Sequence, residues 1–159
     1  MSPGEPGTRR PWAAALAVAA ATVAAVLAFA VFEVQTLFVD EEVSEAGPAF
    51  EDPAGAGATE PTARGTFVAV EHPGQGSVVV LTRGTQSFVR LEDDFATDNG
   101  PDLHVTVTVD GRTVQLGRLK GNIGAQNYEL PAEIDASAVR QVSIWCKRFD
   151  ATFTRATLR

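Results

Sequence analysis

The sequence predicts an all-β domain, a sandwich or small barrel of about eight strands, preceded by one transmembrane helix and a disordered linker. Three observations predict this. Residues 12–32 are apolar and carry no charge. Residues 33–64 are acidic and rich in Ala, Gly and Pro, with no sustained period. From residue 65 onward, short β-branched and alternating segments are separated by turn residues, and no long helical period occurs.

The first element is the apolar run. A helix over residues 12–32 rises about 31 Å, close to the hydrocarbon thickness of a bilayer. Arg9 and Arg10 precede it, and Glu33, Asp40, Glu41 and Glu42 follow it. The positive-inside rule then predicts a cytoplasmic tail over residues 1–11, a signal anchor over 12–32 and an exported remainder. A cleaved signal peptide is the competing reading, with Ala28-Phe29-Ala30 as its processing site. The run is longer than a usual signal-peptide core and has no polar break before that site, so an uncleaved anchor is preferred. A twin-arginine signal at Thr8-Arg9-Arg10 fits Pro11-Trp12-Ala13 poorly. Either way the chain is expected at the cell membrane, single-pass, with its β domain outside the cytoplasm.

The second element is the linker. The whole chain carries a net charge of −7, and residues 33–64 alone carry −7; the tail and apolar run carry +1 and the final 95 residues −1. The acidity therefore belongs to the spacer. Such a composition cannot bury enough apolar surface to offset its ordering entropy, so a flexible tether is expected. No basic stripe of the kind that tracks phosphates is present, which argues against nucleic acid as a partner. The dominance of Ala, Gly and Val, with arginine the main base, points to a GC-rich bacterial genome.

The third element is the domain at residues 65–159. Strands are expected at residues 66–71, 77–82, 86–92, 103–109, 112–116, 126–130, 139–146 and 149–158. The clearest is 103–109: Leu103, Val105, Val107 and Val109 alternate with His104, Thr106 and Thr108. Asp110-Gly111 is a tight hairpin signal, and one helical turn fits within 132–138. Val142, Ile144 and Cys146 share a face, as do Phe149, Ala151 and Phe153. The parity change between these sets requires a bulge or tight bend at Lys147-Arg148. Trp145 then lies opposite Cys146, on the outer face.

Cys146 is the one cysteine, so no internal disulfide staples the fold. A lone exported cysteine has three readings: a buried small hydrophobe, a reactive thiol or cofactor ligand, or one half of an intermolecular disulfide. Lys147 and Arg148 follow it, but in a regular strand Lys147 points away from the sulfur. His104 and His72 are the only histidines, and no C-x-x-C-H haem attachment motif exists. Glu92, Asp93, Asp94, Asp98 and Asp102 crowd one segment without EF-hand spacing, so a solvated loop is expected and no metal site. Gly117, Gly121 and Gly124 match no phosphate-loop pattern and are read as backbone geometry, with Lys120 solvated. No Ser-His-Asp arrangement or nucleophile elbow supports hydrolysis.

Three strings carry a family likeness: DNGPDLHVTV (98–107), LGRLKGNIGAQNYELP (116–131) and VSIWCKRFDATFTRATL (142–158). In that order they resemble the DM-thirteen domain, found beside DOMON domains in Skeletor-like cell-surface proteins. The likeness covers the whole β domain; Thr154 departs from it, standing where some members have glycine. The resemblance implies a β-sandwich or barrel and an electron-transfer role for Cys146, either as a free redox thiol or as the ligand of a prosthetic group. Haem is one such group, and the identity of any cofactor is left open. Among the residues, His104 is a candidate second ligand, but it projects from the polar face of its strand, opposite a core-facing Cys146, so a surface or hydrogen-bonded histidine is the preferred reading. The alternative is a non-catalytic cell-surface interaction or ligand-binding module in which Cys146 is a core residue. In both readings the chain meets the membrane through residues 12–32 and an unidentified extracytoplasmic partner through its β domain.

Overall fold

A computed structural model describes residues 11–31, 39–50 and 59–159. The chain divides into two compact units, residues 1–35 and 36–159. In the first, Pro11–Val31 forms helix α1, and Leu16, Val18, Val23 and Leu27 stand exposed along it. Among the described residues, no helix is long and apolar enough to cross a membrane. The expectation of a bilayer-spanning helix over residues 12–32 thus finds a helix there, without support for the crossing.

The second unit is a nearly closed antiparallel barrel. Its strands are β1 (Glu60–Ala69), β2 (Gly74–Gln75), β3 (Ser77–Arg83), β4 (Gln86–Leu91), β5 (Ala96–Thr97), β6 (Leu103–Val109), β7 (Arg112–Arg118), β8 (Gln126–Leu130), β9 (Val139–Cys146) and β10 (Ala151–Thr157). Eight of them pair in the order β7-β6-β9-β10-β1-β3-β4-β8, and β2 pairs with β5 alone. β1 joins two halves of the sheet. Its start pairs with β3 from Glu60 to Thr66, and its end pairs with β10 from Phe67 to Ala69. A side chain at Gly65 would press on the Thr157 carbonyl at 2.7 Å and on Leu158 at 2.9 Å, so the crossing admits only glycine.

Local chemistry explains the elements. β6 alternates as its sequence does, with Leu103, Val105 and Val107 in the core. Asp110 and Gly111 both take positive φ, 49° and 76°, as a two-residue hairpin between β6 and β7 requires. In β3, Val78, Val79 and Val80 are all buried, as a strand covered on both faces should be. Asp135 caps the single 3-10 turn Ala136–Ala138 by accepting from the Ser137 amide. One core runs through the barrel, from Phe67, Val80 and Leu91 to Val105, Ile144 and Phe153.

Two expectations are corrected. Residues 33–64 are not all a free tether. Residues 60–64 belong to β1, and residues 39–50 run as a strap along the barrel; residues 33–38 and 51–58 lie outside the described residues. The strap escaped notice because it docks mainly through backbone and carboxylate bonds, with Phe50 against the Phe88 ring at 5.1 Å, and these leave no hydrophobic period. Phe149 is not inward: it stands 67% exposed at the tip of the β9–β10 hairpin. The parity change is met by that hairpin, Lys147 to Asp150, where Asp150 has φ 52°, and by a bulge between Thr152 and Thr154. Thr154 itself is fully buried; its hydroxyl donates to the Val68 carbonyl at 2.7 Å, and Gly74 lies directly against it. The room that a glycine at 154 would leave is filled, and Gly74 accommodates the larger side chain.

Candidate functional site

Cys146 ends β9, facing inward, opposite Leu103 on β6 and Ala151 on β10. It is free and 0% exposed, and it belongs to the same hydrophobic cluster as Leu103, Ile144 and Phe153. The next residue, Lys147, is exposed, and its amide donates to the Asp102 carbonyl at 2.9 Å, closing the strand end over the sulfur. Arg148, Phe149 and Asp150 are exposed as well. The sulfur therefore sits one residue below an exposed hairpin and is itself fully enclosed by the core.

On the outer face of the same strand pair, Trp145 lies opposite His104. Their rings are 6.3 Å apart, and the indole N–H donates to the Asp150 carboxylate at 3.0 Å. His104 is 8% exposed. Its Nε2 meets the Asp102 carboxylate at 2.8 Å, and its Nδ1 is buried with no partner among the described residues. With Nε2 engaged by the carboxylate, Nδ1 is a buried polar atom left unmet. His72 is engaged elsewhere: it stacks on Phe153 at 3.8 Å and meets Asp98 at 3.3 Å.

These positions decide the haem question on geometry. Cys146 and His104 point to opposite faces of the sheet, the sulfur is sealed in close-packed hydrocarbon, and His104 Nε2 is committed to Asp102. The residues present do not fit a haem held between Cys146 and His104. Neighbouring outer and inner positions of one sheet cannot converge on one iron.

The acidic segment resolves into local bonds. Asp94 accepts from the Ser77 amide at 2.8 Å and from its hydroxyl at 3.0 Å, and Asp98 and Asp102 each meet a histidine. Among the described residues, no group of three His, Cys, Asp or Glu side chains is placed to hold a metal.

The glycine-rich segment 117–128 organises the seam between β7 and β8. Gln126 is fully buried and uses both ends of its amide. Its Oε1 accepts from the Lys120 amide (3.0 Å), the Gly121 amide (3.2 Å) and the Tyr128 hydroxyl (2.7 Å). Its Nε2 donates to the Gly121 and Gly124 carbonyls. Burial pushes the Tyr128 phenol well above its ordinary pKa, the Glu45 carboxylate adds to the effect, and a hydrogen bond from the Lys120 amide opposes it. A Cβ at Gly117 would meet the Tyr128 ring at 3.6 Å, so the ring lies across the seam beside it.

The strap lies on this segment. Val43 and Glu45 donate to the carbonyls of Ile123 and Ala125 at 2.9 and 3.0 Å, and Ile123 donates to Glu41 at 3.2 Å. Any side chain at Gly121 or Gly124 would run into the strap backbone at Glu41 or Val43. Lys120 is not simply solvated. Its ammonium donates to Glu45 at 2.6 Å and to the Asn127 carbonyl at 2.9 Å. Glu45 also accepts from the Asn127 amide at 2.7 Å. Burial opposes ionisation of Glu45, but the bonds from Lys120 and Asn127 outweigh it and hold the carboxyl below its ordinary pKa. Arg90 reaches the strap carbonyls of Glu45 and Ala46.

The family model described as Electron transfer DM13 matches residues 66–158. The chain belongs to the DM13 family. No curated protein and no solved structure matches it. The DM13 match begins inside β1 and ends after β10, so it covers the barrel and leaves out the strap and α1. Within the DM13 domain, the segment Leu116 to Pro131 now has a physical purpose, which is to close the seam and cradle residues 41–45. The sequence marks Gly117, Gly121 and Gly124 as backbone geometry and Lys120 as solvated, and gives no sign of Glu45, Asn122, Gln126 or Tyr128. Asn122 accepts from the Glu41 amide at 2.7 Å and donates to Asp40 and to the Thr97 carbonyl. For the Asp102–His104 pair the available signal is their i, i+2 spacing at the start of β6.

Proposed function

We propose that this chain is a membrane-tethered DM13 protein whose barrel stands outside the cytoplasm and takes part in electron transfer, with Cys146 as its redox group. The family description supports the electron-transfer role. The uncharged run at residues 12–32, with arginines before it and acids after it, supports the tether and its orientation. The observation that carries the assignment to Cys146 is its place at the last position of β9, directly beneath the exposed hairpin from Lys147 to Asp150. Full burial sets the condition for reactivity. The sulfur meets a partner only when the hairpin lifts and the Lys147–Asp102 bond opens. Local openings of this kind cost less than global unfolding.

The 0% exposure of Cys146 favours a second reading, an interaction or ligand-binding module in which the cysteine only packs. Thiol labelling of the full chain across a urea series separates the two. Labelling through local opening is nearly independent of urea below the unfolding transition. Labelling through global unfolding steepens with the equilibrium slope, about 1–3 kcal/mol per molar for a small domain. A flat limb supports the redox assignment; a limb that follows global unfolding leaves the second reading.

A further inference from the structure

The outer face of β7, β6, β9 and β10 holds a cleft of about 490 Å³. Thr106 and Ser143 point outward, because their neighbours Val105, Val107, Val142 and Ile144 fill the core; yet they are only 4% and 6% exposed. Outward side chains covered to this degree mark the floor of a hollow. Thr113 and Gln115 of β7 form one wall, Thr152 of β10 the other, and Trp145 closes one end.

We propose that this cleft binds a neutral saccharide. Every lining side chain except Trp145 and Asp150 carries a hydroxyl or a carboxamide. Such groups both donate and accept, as each sugar hydroxyl does. Gln141 already bonds the Ser143 hydroxyl at 2.9 Å, and Thr106 bonds the Ser143 carbonyl at 3.4 Å, so the floor is ordered before any ligand arrives. Among the described residues, the side chains of Thr113, Gln115 and Thr152 have no protein partner and are free to meet a ligand. The indole of Trp145 is tied by its N–H to Asp150, which fixes an apolar surface of the kind that a pyranose ring's C–H face covers.

Other ligand classes fit less well. No cation lines the cleft to meet an anion, and its one carboxylate is engaged by Trp145. A peptide strand could join only the terminal strand β7, in the plane of the sheet and beside the cleft, because β6, β9 and β10 under the cleft are paired on both sides. An apolar ligand would strand the hydroxyls of the floor without water. The volume lies in the range of small-ligand sites, about 300–1,000 Å³. The cleft is on the face of β9 opposite Cys146, so the inference stands whichever way the thiol labels.

The test uses the full chain carrying Trp12→Phe, which leaves Trp145 as the sole indole. Its fluorescence is titrated with glucose, galactose, mannose, N-acetylglucosamine and their β- and α-linked disaccharides, and with glucuronate and glucosamine as charged controls. A saturable change with at least one neutral sugar is expected. Gln115→Ala, at an exposed rim position, should weaken it about five- to tenfold, the worth of one hydrogen bond. Trp145→Phe, followed by calorimetry, should weaken it further. No neutral sugar bound at about 50 mM, preference for a charged control, or binding untouched by Gln115→Ala and Thr113→Ala together would overturn the proposal.

Discussion

Replacing Gly121 by alanine tests how the strap is held. Gly121 is buried and has no unusual φ, so alanine brings no backbone strain of its own. Its new methyl group would overlap the Glu41 carbonyl oxygen and come within 2.7 Å of Val43 Cγ2 and 3.1 Å of the Glu41 carbonyl carbon. Carbon contacts relax only at about 3.5–4.0 Å, so the strap must shift outward by roughly an ångström. That shift breaks the bond from Ile123 to Glu41 at 3.2 Å and weakens those from Val43 and Glu45. Overpacking of this kind costs about 1–3 kcal/mol. For a domain of this size that lowers Tm by about 5–15 °C. Hydrogen exchange gives the sharper readout. The amides of Val43 and Glu45 should lose protection, while those of Val105 and Ile144 keep theirs. An alanine variant that retains protection at Val43 and Glu45, with Tm within a degree of the parent, would refute the reasoning.

Three further outcomes are expected. Glu45→Gln should destabilise the barrel unit by about 0.5–1.5 kcal/mol at neutral pH. Because the folded Glu45 pKa is lowered, its contribution is complete above the unfolded value near 4.3 and is lost as pH falls through the folded value. Urea unfolding at pH 7, 5 and 3 should therefore show wild type and variant converging at the acid end. Cys146→Ser should cost about 1–3 kcal/mol and more than Cys146→Ala, since a hydroxyl in that hydrocarbon setting needs a bond that the thiol does not; equal Tm values would contradict the burial account. Gly74→Ala should cost about 1–3 kcal/mol because its methyl group would overlap Thr154, and a double-mutant cycle with Thr154→Gly should recover most of that loss.

The residues that were legible are those whose structure is decided locally. Strands β6, β8 and β9 carry their bounds in alternation and turn chemistry, and Asp110-Gly111 announces its hairpin. Trp145 outward and Cys146 inward follow from the same period of two. What the sequence hid depends on distant partners. The first residues of β1, Glu60 to Arg64, have poor strand propensity and are strands only because β3 pairs with them. β2 and β5 are two residues each and exist only as a pair. The strap bonds through backbone groups and Glu45, which look like ordinary solvated linker until the partners at Lys120, Asn122 and Asn127 are in place. Phe149 reads as a core residue, yet the four-residue hairpin turns it to solvent. The same limit applies to Cys146: its face was readable, whereas its complete enclosure depends on Leu103, Ala151 and the Lys147–Asp102 bond.

The most direct test of the account is the rate at which Cys146 of the full chain reacts with a thiol reagent between zero urea and the foot of the unfolding transition. The account predicts slow modification, about a hundredfold or more below the rate of the unfolded thiol, with little change across that interval, since hairpin opening exposes little surface. Immediate stoichiometric modification would contradict the sealed core, and a rate that climbs in step with global unfolding would remove Cys146 from any electron-transfer role.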